Sequence, residues 1–346
     1  MSRALVISGG GCKGAFAVGI VKRLLENYPN LEFDMYVGTS TGSLIVPLLA
    51  MNEMALLEEI YTTQTTKDIV LQNRLGDRIG DESIFDATPL WNTLGKNYTD
   101  DRYNTLLASG KRLFINTTCM QSGELVVFTT DTAPIEPDNY QIKTMVDANH
   151  FRRAVMASAC QPVFMQPITV NRDVPGDPNP TFQFVDGGVK QYVGIEMAID
   201  NGATEIFTIL LSPEEDAVDN VSYGDLFGIL QKTIGIFSDG VAKDDLIIPQ
   251  QYNTALTYIE AVKSKMIAGG ISRDAVDEYF NIPEVKNPYQ GKKPIKFFTF
   301  QPTAPLGGGP GGLTFDPVEM RGMVEKGVAA ANEFIATVNP EDVTWG

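Results

Sequence analysis

Short β-rich runs alternate with helical patterns along the first two-thirds of this chain, and glycine clusters stand where several of the runs end. Strands are expected over residues 4–8, 33–38, 111–119, 124–130, 181–185 and 205–211. Helices are expected over 14–27, where Phe16, Ile20, Val21, Leu24 and Leu25 share one side, from about residue 41, over 143–158, and over 195–201, closed by Gly202. That alternation implies an α/β fold with a mainly parallel central sheet. Past residue 212 the pattern turns helical, with helices expected over 223–237, 252–266 and 273–280. A late strand over 295–301 leads into a glycine-rich run, 307–312. A final helix opens at Asp316-Pro317-Val318-Glu319, where Asp316 suits the N-cap, Pro317 the first turn, and Glu319 a capping box. No linker separates two cores. Residues 1–346 are therefore expected to form a single domain, with a motif-bearing core of about 4–212 and a helical extension of about 213–346.

Composition removes several functions. Asp and Glu number 43 against 27 Lys and Arg, a net charge of −16, so the chain lacks the basic face that nucleic acid requires. Its single histidine, His150, rules out HExxH and other multi-histidine metal sites, and any Ser-His-Asp triad has to use it. No metal and no cofactor is expected. Cys12, Cys119 and Cys160 are far apart with no CxxC spacing, which fits a reducing cytosol. The apolar run 4–7 is too short for a signal-peptide core of about 7–15 residues. The stretch 44–54 is too short to span a bilayer. A cytoplasmic location is expected.

Two glycine-bracketed turns carry the chemistry. In Ser8-Gly9-Gly10-Gly11-Cys12-Lys13-Gly14, the residues Gly9, Gly11 and Gly14 satisfy GxGxxG between a strand and a helix. A dinucleotide loop, another anion-binding turn and a purely structural turn all fit. The dinucleotide reading wants an acidic residue at the end of the second strand, whereas Asp34 stands at its beginning. A P-loop fails because Lys13 precedes Gly14 and Ala15 follows it. The second turn, Gly38-Thr39-Ser40-Thr41-Gly42, is a GxSxG pentapeptide at a strand-to-helix junction. Such a turn exposes a serine hydroxyl at the sheet edge, with a helix N-terminus behind it. Pro47, inside the helix that follows, implies a kink or an early end. Two residues are candidates for the base: His150, with a surface or capping role as its blander explanation, and Asp186 in Val185-Asp186-Gly187-Gly188, which is also a plain turn signal.

Taken in order, the glycine turn, the Ser40 elbow, Ala157-Ser158-Ala159-Cys160-Gln161-Pro162 and Asp186-Gly187-Gly188 resemble the patatin-like phospholipase family over about residues 4–212. Where such proteins often carry Asn and Pro, this chain reads Val189-Lys190-Gln191-Tyr192-Val193-Gly194. The resemblance implies a three-layer α/β/α fold and a lipid acyl hydrolase with a Ser40–Asp186 dyad and no catalytic histidine. It implies an oxyanion hole at Gly9, Gly10 and Gly11, with Gly38, Gly42, Gly187 and Gly188 shaping the turns. Lys13 would add positive potential or remain a solvated loop lysine. The expected partner is a lipid or other acyl-ester substrate, with peripheral membrane contact. The stretch Phe227-Gly228-Ile229-Leu230, continued by Ile234, Ile236 and Phe237, would then face the core or serve as a lid or docking helix. An acyltransferase on the same dyad, a lipid-binding module that needs an activator, and a nucleotide-dependent oxidoreductase are the rival functions. Oligomeric state is not legible in the sequence.

Overall fold

Strand after strand here is apolar on both faces, which calls for cover on both sides of a sheet. In β1 (Arg3–Ile7), Leu5 and Ile7 join one core while Ala4 and Val6 join another. The protein is known from a computed structural model that describes residues 2–72, 81–214, 222–285, 287, 289 and 292–345, with the side chains of Phe227, Gln231 and Pro310 left aside.

After β1 come α1 (Gly14–Asn27), β2 (Met35–Thr39) and α2 (Thr41–Ala50). Next are α3 (Met54–Thr63), α4 (Thr66–Ile69), β3 (Leu71–Gln72), β4 (Phe85–Asp86), α5 (Thr88–Asn97) and α6 (Asp100–Ala108). The middle of the chain holds β5 (Arg112–Cys119), β6 (Leu125–Thr129), β7 (Gln141–Thr144), α7 (Ala148–Ala159), β8 (Ile168–Thr169) and β9 (Gln183–Asp186). It closes with α8 (Ile195–Asp200), β10 (Glu205–Ile209), α9 (Leu226–Ala268), α10 (Arg273–Phe280), β11 (Lys296–Phe300) and α11 (Pro317–Thr337).

The main sheet runs β11-β10-β1-β2-β5-β6-β7. From β11 to β5 every pairing is parallel; β6 is antiparallel to β5, and β7 is parallel to β6. Residues of α1, α2, α3, α5, α6, α7 and α11 pack with one face, and those of α8 and part of α9 with the other. This is the three-layer α/β/α arrangement with a helical C-terminal region.

Several local expectations change. The helix expected from residue 143 begins at Ala148, because Gln141–Thr144 pairs with β6 and Asp147 caps the helix by accepting the His150 N–H at 2.7 Å. The helices expected over 223–237 and 252–266 fuse into the 43-residue α9, which runs through Pro249. Proline there removes one backbone donor, while packing of Leu246 and Leu256 on either side holds the helix in place. Glu319 does not close a capping box. Asp316 accepts from the Val318 and Glu319 N–H groups, but Glu319 Oε2 takes the Gly308 N–H at 3.3 Å. The helix with Pro47 ends three residues later, at Ala50.

Candidate active site

The site follows from a mismatch in strand length. β2 pairs with β5 only as far as Thr39 opposite Asn116. β5 continues, and its next residues pair with β9 arriving antiparallel, Asp186 opposite Thr117 and Val185 opposite Thr118. The far flank of β5 is already taken by β6, so β9 occupies the β2 side. The two strands thus meet end to end along one edge of β5, and Ser40 leaves β2 where Asp186 ends β9. β9 thus reaches the site from the direction opposite to β2 and β5.

Ser40 sits at φ 56°, ψ −123°, a conformation that side chains adopt only under constraint. Its N–H donates to Ser158 Oγ at 3.0 Å, and its carbonyl accepts from Ser43 Oγ at 2.6 Å. Gly42 allows the close approach of α2 to β1, since a Cβ there would enter the Ile7 carbonyl. Gly38 lies against the backbone of Gly42 and Ser43, and Gly187 against the Asn116 carbonyl.

The Ser40 side chain lies beside the Asp186 carboxylate, close enough to favour its charged form. Asp186 Oδ1 accepts the Gly188 N–H at 2.7 Å. Burial, with 7% of the residue exposed, pushes the Asp186 carboxyl up to about 6; the Ser40 side chain and the Gly188 N–H pull the other way and are outweighed.

The glycine turn stands across from this pair. Gly10 at φ 153° and Gly11 at φ 59° need glycine, and Gly11 presses its Cα against the Gly312 carbonyl of the C-terminal glycine run. Gly9 departs from expectation: its N–H is spent on the Tyr192 carbonyl at 3.3 Å. The Gly10 and Gly11 amides have no partner among the described residues, and both residues line the cleft that holds Ser40 and Asp186. Lys13 lines the same cleft without an ion-pair partner among the described residues. Cys12 is no rival nucleophile, because burial pushes its thiol up to about 12.

His150 belongs elsewhere. It is buried rather than on the surface, edge-on to Phe128, with Nδ1 accepting the Val146 N–H at 3.3 Å. It precedes Ser158 by eight residues on α7, roughly 12 Å along the axis. Burial lowers its pKa, partly offset by Asp147 and Asp177.

Three residues that sequence reasoning passed over support the site. Ser158, quoted only as part of a motif, holds the elbow amide. Tyr192 packs its ring against Gly9 and Gly188. Asp245, on α9, accepts the Tyr192 and Val193 N–H groups on one oxygen at 2.6 and 2.9 Å. Burial pushes the Asp245 carboxyl up to about 6 despite those bonds. No local signal marked Asp245, because its partners lie more than fifty positions away.

The cleft measures about 930 Å³, and α9 forms one of its walls. On α9, Leu230 and Ile234 pack on the core, while Leu226, Ile229, Ile236, Phe237, Ile247, Ile248 and Tyr258 are exposed. The stretch expected to face either the core or solvent therefore does both; the Phe227 side chain lies outside the described residues. Among the described residues no helix is long and apolar enough to cross a membrane.

The family described as patatin-like phospholipase matches residues 5–199 of the chain. No curated protein sequence matches it. The solved structure of VipD from Legionella pneumophila is similar at 11% identity, over 97% of this chain and 67% of that one, with a TM-score of 0.43.

Proposed function

The chain belongs to the patatin-like phospholipase family, and so to the lipid acyl hydrolases; from that premise we propose that it cleaves carboxylic esters of phospholipids or lysophospholipids with Ser40 as nucleophile and Asp186 as base. The observation that carries this reading is the end-to-end meeting of β2 and β9, which sets a strained serine against a buried carboxylate with His150 elsewhere. Ser40 Oγ bonds to the ester carbonyl carbon as its proton passes to Asp186. The oxyanion lies at the Gly10 and Gly11 N–H groups. The adduct collapses, the alcohol leaves with the proton from Asp186, and water repeats the sequence on the acyl-enzyme to release the fatty acid. A carboxylate is far less basic than an alkoxide, so proton transfer accompanies attack, and the raised pKa of Asp186 narrows the gap.

A fluorophosphonate probe mapped by peptide mass spectrometry tests the nucleophile, and fatty-acid release from mixed phospholipid and lysophospholipid vesicles tests the substrate. Label on Ser40, retained in His150→Ala, is expected. Label on another residue, or its loss in a folded His150→Ala, defeats the dyad.

The base form of Asp186 is the carboxylate, whose fraction rises as pH climbs through about 6. Accordingly kcat/KM should be flat near pH 8 and fall about tenfold per pH unit well below 6. Asp245 titrates in the same window. Asp245→Asn should keep the acid limb; a limb that vanishes with Asp245 would assign it to the α9 anchor instead.

Membrane contact is part of this proposal. Leu226, Phe237 and Ile248 recur every eleven residues, about three helical turns, and so lie on one exposed stripe of α9, and Phe237 on that stripe also lines the cleft. A stripe beside the mouth of a lipid-binding cleft suits a bilayer surface. The net charge of −16 opposes anionic lipid. Phosphatidylcholine vesicles should therefore co-float with the protein, less so with added phosphatidylserine at low salt. Ile236→Asp/Phe237→Asp should lose flotation. Equal flotation of that variant removes α9 as the contact.

A further inference from the structure

A second cavity lies beneath α2, about 50 Å³ in volume, and shares the side chains of Leu44, Ile69, Leu90 and Phe315 with the wall of the Ser40 cleft. Taking one water as about 10–15 Å³ on this scale, it has room for roughly four such groups. Its walls are mostly apolar, although Gln64, Thr93 and Asn97 also border it and Gln64 Oε1 is buried without a partner among the described residues. Tyr61 and Tyr98 both border it, yet their hydroxyls are already committed, Tyr61 to Thr41 Oγ1 and Tyr98 to the Leu44 carbonyl, each at 2.5 Å. What they offer the space is therefore ring carbon. A void of this kind leaves its lining without dispersion partners on one side and offers water one free acceptor, Gln64 Oε1, fewer than the two to four partners a buried water needs, so its natural occupant is hydrocarbon.

Its place on α2 says which hydrocarbon. Ser40 caps the helix, Leu44 stands one turn down and Leu48, in the cavity wall, two turns down, about 12 Å from the elbow. We propose that this cavity is the terminus of an acyl-chain channel: a chain esterified at Ser40 follows α2 past Leu44, Ile69, Leu90 and Phe315 and buries its methyl end among Leu48, Leu57 and Leu94. The inference rests on the hydrolase reading and adds a substrate class to it, acyl esters long enough to span two helical turns. Butyrate stops in the open cleft; laurate reaches the cavity. The alternative route for a chain, out along α9, would leave the cavity irrelevant to selectivity.

The test is the ratio of kcat/KM for p-nitrophenyl laurate to that for p-nitrophenyl butyrate. Each buried methylene is worth about fourfold. Leu94→Phe, which fills the cavity, should lower the ratio at least tenfold. Leu48→Ala, which enlarges it, should move the optimum from laurate towards palmitate. Butyrate turnover reports that Ser40 is intact, so it separates the two claims. A wild type inactive on both esters faults the hydrolase reading. An active wild type whose chain-length profile is unmoved by either variant overturns the channel. Should Leu94→Phe fail to fold, the Leu48→Ala profile decides alone.

Discussion

Asp186→Asn is expected to abolish ester hydrolysis and, at pH 8, to melt above the wild type. The loss follows from removing the proposed base, on the order of 10⁴ in kcat; Ser40→Ala, which removes the proposed nucleophile, should fall at least as far. The stability gain follows from linkage. The folded pKa of Asp186 is raised to about 6 from 3.8, so the protonated form is the one the fold favours. That contribution is complete below about 3.8 and is lost as pH climbs through about 6. At 1.36 kcal/mol per pH unit, keeping the carboxylate ionised at pH 8 costs on the order of 3 kcal/mol. Asparagine carries no charge to bury, and its carbonyl oxygen can still accept the Gly188 N–H. A rise of a few degrees in Tm at pH 8, vanishing near pH 4, is therefore the expected signature. Kinetics and thermal melts on the same sample check it. Wild-type turnover in Asp186→Asn would sink the dyad, and an inactive variant that melts lower at pH 8 would mean that the carboxylate is structural.

Gly11→Ala is expected to lower kcat by about 10²–10³, the loss typical of one oxyanion donor, with a smaller effect on KM. Two penalties meet at this position. The φ of 59° lies in the left-handed region, and a Cβ there would enter the Gly312 carbonyl. The turn must shift, and the Gly10 and Gly11 amides shift with it. Gly312→Ala makes the same collision from the other side, into the Gly10 carbonyl, without placing new atoms on the turn itself. It should reproduce the kcat loss. Gly110→Ala is the control: its φ is 67° with open space around it, so only backbone strain is added, far from the cleft. If Gly11→Ala keeps wild-type kcat, the glycine turn does not hold the oxyanion.

Much of the site could be read along the chain because its parts are local. Five consecutive residues, Gly38 to Gly42, suffice to write a strand-to-helix elbow, and Gly10 and Gly11 declare positions that other residues would strain. Helix α1 was legible to its ends, since one apolar side continues for four turns. By contrast α3 to α6 went unread. In α3 only Leu57 and Tyr61 are buried, too few to stand out as a stripe. The role of Gly9 was misjudged for a related reason. Nothing beside Gly9 in sequence shows that a carbonyl at Tyr192 takes its N–H.

The sequence alone determined the α/β alternation, the strained serine, the acidic strand end and the scarcity of histidine, all of which are written in neighbouring residues or simple counts. Only the tertiary structure decided that β9 runs against β5 and meets β2 end on, that His150 is buried beneath Phe128, and that α9 is tied to the site through Asp245. The physical reason is that strand direction and the pairing of buried polar groups are settled by contacts between residues tens to hundreds of positions apart. Local propensity carries no record of those contacts.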